Sequence, residues 1–218
     1  IDTYSLMPKY ILSKDVFGFK NKLTLGVDWY HEPFKQNKFE TRERLKKKSV
    51  TDLTRNSLAW YVRNEFTLLD PLILSFGFRH DRTSIKGSHN DYNSSTKNWN
   101  DDKLHSANAY EAGLTYLIGK TSNIYAKYGT VFRIPFFDEQ ANYNGWKDSF
   151  NKELEKETGK SMEIGAQLNP IAGLKIAASL FRTDIENEIA WSNTENFNIN
   201  MDDTRHEGAE VSGSWQIN

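Results

Sequence analysis

Cysteine is absent from the 218 residues. That excludes a disulfide framework and any Cys-ligated metal site. Long apolar runs are missing too, and no stretch approaches the roughly 18 residues a transmembrane helix needs. Neither sign of charge is in excess: the net charge is -1. Nothing in the bulk balance therefore points to nucleic acid, and none is expected as a partner. The opening residues Ile1, Asp2, Thr3 and Tyr4 form no basic and apolar leader and already look strand-like. Mean hydropathy is -0.69, as in a water-soluble chain. A β-barrel gives the same value, because only every second strand residue faces lipid and the loops are polar.

What the chain does have is a rhythm of connections. Short ones are predicted at 13–20, 70–71, 119–122 and 170–173, and long polar ones at 35–52, 85–104, 134–158 and 191–199. They alternate, so all the long loops fall at one end of the strands. A soluble sandwich has no reason for that order. A transmembrane barrel has one, with short periplasmic turns and long extracellular loops.

Between the connections lie nine strand candidates with apolar residues at period two. Leu23, Leu25, Val27 and Trp29 alternate with Thr24, Gly26, Asp28 and Tyr30. Leu58, Trp60, Val62, Phe66 and Leu68 alternate with Tyr61, Arg63 and Glu65. Leu72, Leu74, Phe76 and Phe78 oppose Gly77 and Arg79, and Tyr110, Ala112, Leu114 and Tyr116 oppose Glu111. Ile124, Ala126 and Tyr128 oppose Lys127, and Met162, Ile164, Ala166 and Leu168 oppose Glu163. Leu174, Ile176, Ala178 and Leu180 follow, and Ala209, Val211 and Trp215 oppose Glu210. Residues 4–12 make a weaker first strand in which Pro8 predicts an edge or a bend.

Runs of about 9–11 residues suit a tilted strand across a bilayer. The charged face, Asp28, Arg63, Glu65, Arg79, Glu111, Lys127, Glu163 and Glu210, would line a barrel lumen or, in a sandwich, meet solvent. Phe, Tyr and Trp make up 13% of residues, as a β-rich core or two interfacial girdles would require.

Chemistry-bearing constellations are few. His31, His80, His89, His105 and His206 are scattered, with no H-x-x-x-H or H-E-x-x-H spacing, and G-x-S-x-G is absent. No enzyme and no cofactor is expected. Asp101-Asp102 and Asp202-Asp203 lack the alternating spacing of a calcium loop, so no metal site is expected. Trp99, Tyr143, Trp146 and Trp191 fall in or beside predicted loops, among asparagines. Rings and amides suit a large polar ligand, and they also serve as girdle or loop packing. Arg44, Lys46, Lys47 and Lys48 form a basic run suited to lipopolysaccharide phosphate or an anionic chelate, or to solvation alone.

One segment is more specific. Tyr125-Ala126-Lys127-Tyr128, followed by Phe132-Arg133-Ile134-Pro135 and Glu139, resembles the Y-A-x-Y…F-R-x-P-x-x-x-E strand of TonB-dependent outer-membrane receptors. Asn151, Leu154 and Glu157 resemble the family's N-P-x-L-K-P-E segment, from which Lys152, Glu155 and Lys156 depart. Glu163-Ile164-Gly165, Phe181 to Ile189, and Gly208-Ala209-Glu210-Val211 resemble later strands of the same family, in its order. The motifs are specific over 124–215 and supported by pattern over 23–117.

The resemblance implies an all-β antiparallel transmembrane barrel of 22 strands, of which this chain (residues 1–218) would be about nine. A plug domain and the C-terminal strand are expected outside it. It implies active uptake of a metal chelate such as a ferric siderophore in the outer membrane of a Gram-negative bacterium. The expected partners are the chelate, outer-membrane lipids with lipopolysaccharide, and the TonB complex through the missing N-terminal region. A passive porin or a surface adhesin module is the alternative. Haem is disfavoured, since no histidine lies within 136–150. The resemblance makes Phe132, Arg133 and Pro135 structural. Pro135 would end the strand at the rim, and Arg133 would bind loop or plug carbonyls.

Overall fold

A computed structural model describes residues 2–143 and 149–216. The strands in chain order are β1 (Tyr4–Leu6), β2 (Lys9–Ser13), β3 (Lys20–Phe39), β4 (Lys47–Leu69), β5 (Leu72–Asp91), β6 (Trp99–Ile118) and β7 (Ser122–Arg133). A four-residue helix, α1 (Phe137–Gln140), and two short strands, β8 (Ala141–Asn142) and β9 (Ser149–Phe150), follow. Then come β10 (Glu157–Leu168), β11 (Leu174–Glu186), β12 (Ile189–Ser192), β13 (Phe197–Asn200) and β14 (Thr204–Trp215).

A ten-stranded antiparallel sheet runs β1-β3-β4-β5-β6-β7-β10-β11-β14, with β2 also on β3. The sheet is open: β1 and β2 lie at one edge and β14 at the other. The predicted first strand breaks at Met7-Pro8 into two edge pieces, as a residue without an N–H requires. Across the break, Val27 N still donates to Pro8 O at 3.1 Å.

Register places each row of paired residues on one side of the sheet. On one face Leu114 pairs with Ala126, Ala126 with Ile164, Ile164 with Leu180 and Leu180 with Ala209. Large apolar side chains on this face stand in the open, among them Trp60, Phe76, Ile164, Leu180 and Val211. The other face carries all eight predicted charged residues. Asp28 pairs with Ala59, Arg63 with Gly77, Gly77 with Glu111, Lys127 with Glu163, and Ser179 with Glu210.

Each apolar row stops at a polar residue: Trp29 is followed by His31, Phe78 by His80, Leu180 by Arg182, while Tyr110, Met162 and Leu58 are preceded by Asn108, Lys160 and Asn56. The short turns lie at the other end of these rows. At two of them, Gly119 (φ 64) and Gly173 (φ 80) occupy the left-handed conformation that glycine adopts without strain.

Two predicted loops are corrected. Residues 35–52 and 85–104 are mostly paired strand, and only 40–46 and 92–98 leave the ladder. Beyond the bilayer the face that met lipid meets water and needs no apolar residues, so the apolar alternation is lost while backbone pairing persists. β3 to β6 run 20 to 23 residues against 12 or 13 for β7, β10, β11 and β14. About 9–11 residues suffice to cross a bilayer. One part of the sheet therefore stands as a tall wall beyond the membrane, beside a shorter part.

An arginine at Ile164, mid-row on the apolar face, should cost about 2–4 kcal/mol in lipid. The same substitution at Ser212 on the charged face should be near neutral. Heat-modifiable electrophoretic migration of the full-length parent checks this: Ile164→Arg should lose the compact band, and Ser212→Arg should keep it.

Candidate functional site: the charged face and its rim clamp

The charged face is a lattice of ion pairs. Arg79 Nη1 donates to Asp28 Oδ2 at 2.6 Å and its Nε to Asp81 Oδ2 at 2.6 Å. The guanidinium lies 5.7 Å from the Tyr61 ring centroid. Tyr61 in turn lies across Gly26, where a Cβ would meet the ring at 2.2 Å. Arg63 sits 3.2 Å from Glu65 and 3.4 Å from Glu111, and Glu65 is 3.5 Å from Lys22. Further along, Tyr125 OH donates to Glu163, and Lys127 stands 4.6 Å over the Tyr125 ring. Cross-strand neighbours of opposite charge are the favourable arrangement for such pairs. The pairs among Lys22, Arg63, Glu65 and Glu111 are largely exposed and each contributes little by itself, while Asp28 and Asp81 are sheltered around Arg79.

Beyond the apolar rows the same face turns hydrophobic. Leu53, Ile85, Ile134, Ala141, Tyr143 and Phe150 form a buried cluster, joined by Phe34, Trp99, Phe132 and Phe137. Residues 134–143 and 149–156 make this burial, because they fold back over the tall wall. Tyr143 lies 5.1 Å and Phe137 6.1 Å from the Phe34 ring of β3, and Phe150 lies 5.8 Å from Trp99 of β6. Polar contacts bolt it down. Lys103 Nζ donates to Glu155 Oε1 and to Lys152 O, each at 2.6 Å. Lys152 pairs with Asp101, and Lys38 donates to Tyr143 O. His105 Nε2 lies 2.8 Å from Oε1 of the fully buried Gln140.

Arg133 is the hub at the root of this loop. Its Nε and Nη2 reach both oxygens of Glu157, at 2.9 and 2.5 Å, and its Nη1 reaches Glu139 at 2.8 Å. Glu139 also accepts from Phe136 N at 2.7 Å, closing α1. Glu157 accepts from Ile189 N at 2.8 Å, at the root of the β12–β13 hairpin. The two carboxylates hold the Arg133 pKa above its ordinary value, Glu157 contributing most. The expectation that Arg133 binds carbonyls is corrected: it binds carboxylates. The bidentate fork of a guanidinium matches a carboxylate, not a single carbonyl oxygen. Phe132 packs on the buried cluster, and Pro135 is fully buried just past the end of β7.

The predicted loop aromatics land in different settings. Trp99 is the first residue of β6 rather than a loop residue, and it packs against the cluster through Phe150, while Tyr143 is itself a member of the cluster. Trp191 lies in β12, half exposed, with Nε1 3.2 Å from Asn193 Oδ1. Trp146 lies outside the described residues. Sequence reasoning missed Glu139, Glu157, Gln140 and His105 as a connected set. The signal for the first two was their place in the receptor-like motifs.

Over residues 2–218 the chain matches the family model described as TonB dependent receptor-like, beta-barrel. No curated protein matches it. Among solved structures it is similar to the ferric-catecholate import receptor Fiu from Escherichia coli K12, with TM-score 0.75 and 16% identity over 99% of this chain and 35% of that one. It is similar to the siderophore receptor PiuA from Acinetobacter baumannii, with TM-score 0.72 and 15% identity over 99% and 36%. The alcaligin outer-membrane receptor FauA from Bordetella pertussis gives 0.63 and 20% over 99% and 35%. At these identities the likeness is one of fold, and the chain spans about a third of each receptor.

Arg133→Met should strand two sheltered carboxylates and cost about 2–3 kcal/mol, below the range for a fully buried pair. Protease cleavage within 134–156 and 187–203 should rise sharply while the heat-modifiable band stays. Burial holds the His105 pKa below its usual 6.5, with Lys103 and Lys156 pushing the same way and Gln140 and Glu155 pushing back. The packed loop thus binds fewer protons than the released one below that value. Its packing is at full strength above pH 6.5 and weakens as pH falls through the window below it. Cleavage in 134–156 should quicken from about pH 7.5 to about pH 5.5, and His105→Gln should flatten that response.

Proposed function

The chain belongs to the TonB-dependent receptor β-barrel family, whose members sit in the outer membrane of Gram-negative bacteria and are transporters, not enzymes; from that premise we propose that the whole protein takes up a metal chelate, such as a ferric siderophore, actively and with high affinity. The observation that carries this reading is the two-sided sheet. One face is apolar and open to lipid, and the other is an ion-paired wall roofed by long connections.

In this reading the chelate is captured at the roof. Trp191 stacks on it directly, with Trp99 and Tyr143 supporting the surface from beneath and Trp146 contributing from the same loop. The charged face, from Asp28 to Glu210, holds the plug through hydrogen bonds that can be broken and remade. The apolar rows meet lipid and lipopolysaccharide, and TonB acts through the N-terminal region. The names of the similar receptors support a ferric cargo.

One observation favours a passive channel instead: 134–143 and 149–156 fold inward, as a constriction would. Uptake of labelled ferric chelates by iron-limited cells expressing the full-length parent separates the two. Saturable uptake abolished by an uncoupler or by loss of TonB is expected. Uptake that survives either treatment overturns the receptor reading in favour of the channel. Trp191→Ala should weaken half-saturation several-fold with the maximal rate unchanged.

A further inference from the structure

The apolar face is not uniform. On β4 to β6 it is crowded with rings: Trp60 packs on Phe78 and Phe78 on Tyr110, each with 5.0 Å between centroids. On β7, β10, β11 and β14 a groove of about 530 Å³ is cut into it. Its floor is made of side chains that end at Cβ. Ala166 pairs with Ala178, Ala126 lies diagonally beside that pair on β7, and Ala209 lies diagonally beside it on β14. Ile124 and Val211 flank the alanine pair, and Ile164 and Leu180 stand one step nearer the long connections.

The same face turns charged where the apolar rows stop. Met162 gives way to Lys160, Leu180 to Arg182 and Asp184, and Ala209 to Glu207 and Arg205. Asp184 holds two half-exposed guanidiniums at once, Arg182 Nη2 at 3.0 Å and Arg205 Nε at 2.6 Å. Lys160 lies opposite Asp184 in the ladder, and Glu207 lies opposite Arg182. Lys160, Arg182 and Arg205 against Asp184 and Glu207 leave a positive excess. Ala178 sits about 13 Å along the strand from Arg182. That is close to the depth of hydrocarbon in one leaflet, roughly 15 Å. The charged cluster lies at the end away from Gly119 and Gly173, so it meets the outer leaflet.

We propose that this part of the apolar face is a seat for one lipopolysaccharide molecule, with an acyl chain of its lipid A in the groove and a lipid A phosphate on Arg182 and Arg205. Guanidinium forks match phosphate oxygens, and Asp184 holds both forks in place before the lipid arrives. Glu207 opposes an anion from the β14 side, which sets the phosphate toward Lys160. Filling the groove gains nothing from leaving water, since lipid tails cover this face in any case. The groove contributes the packing of one fixed chain, and the charged cluster supplies the selectivity. The seat deepens the lipid contact of the apolar rows and does not rest on what the barrel transports.

Its test uses the full-length parent, stripped of lipid in mild detergent and titrated with purified diphosphoryl lipid A, with bound lipid counted by native mass spectrometry. One lipid A should bind well before any further copy. Arg182→Gln combined with Arg205→Gln should weaken that first site about ten- to thirtyfold. Arg182→Lys combined with Arg205→Lys keeps the charge without the forks and should fall between that variant and the parent. Ala178→Leu, which fills the groove, should weaken the site about fivefold. Ala112→Leu, on the same face outside the groove, should leave it unchanged, as should Lys86→Gln on β5. All variants are compared at equal heat-modifiable band.

Equal binding of lipid A stripped of its phosphates, or full binding by the glutamine variant, overturns the phosphate seat. An unchanged first site in Ala178→Leu overturns the groove. Phosphatidylglycerol binding as tightly as lipid A overturns the choice of lipopolysaccharide. If lipid A binding follows these residues while chelate uptake is absent, the seat stands and the transport reading falls.

Discussion

Lipid offers the backbone no hydrogen bonds, and the rest of this molecule depends on that. Every N–H and C=O at membrane depth must find a partner within the protein. The antiparallel ladder of the main sheet supplies those partners between its strands, with one register shift at Thr67–Leu69 and with Thr130 Oγ1 accepting from Tyr110 N where β6 and β7 part. Once the ladder is fixed, period two follows, and with it one face for lipid and one for charge. Arg79 and Asp28, 51 positions apart, meet because the register leaves them nowhere else to go.

Above the membrane the same ladder is freed from alternation, and the structure uses that freedom. β3 to β6 continue well past the apolar rows and carry Phe34, Leu53, Ile85 and Trp99 onto the charged face. These residues give the molecule its one compact hydrophobic cluster among the described residues. It is built against a loop rather than between sheets. Segments 134–143 and 149–156 that merely waved in solvent could not bury Gln140, Ala141 and Leu154 to near-zero exposure. Arg133 fixes where the loop starts its return, since a guanidinium held by two carboxylates has little rotational freedom left.

Much of this was legible in the residues. The alternation of Leu23 to Trp29 and of Met162 to Leu168, the break at Pro8, the short turns at Gly119 and Gly173, and the shared side of all eight charged residues followed from period two and turn chemistry. The extents of the loops did not. Val50, Thr51 and Asp52, or Ile85 to Ser88, read as loop because hydropathy marks contact with lipid, not the presence of a strand. Trp99 was grouped with loop aromatics for the same reason, and in fact begins β6.

The sequence by itself determined the two-faced strands, the order of long and short connections and the family motifs around Phe132, Arg133 and Pro135, because each is a local or periodic property of neighbouring residues. Only the tertiary structure decided what the long connections do. That Glu157 serves both Arg133 and Ile189, that Asn200 pairs with Glu155, and that His105 meets Gln140 are contacts across 32, 45 and 35 positions. No periodicity encodes such contacts. They arise when a chain already held by its ladder must satisfy the polar groups it buries.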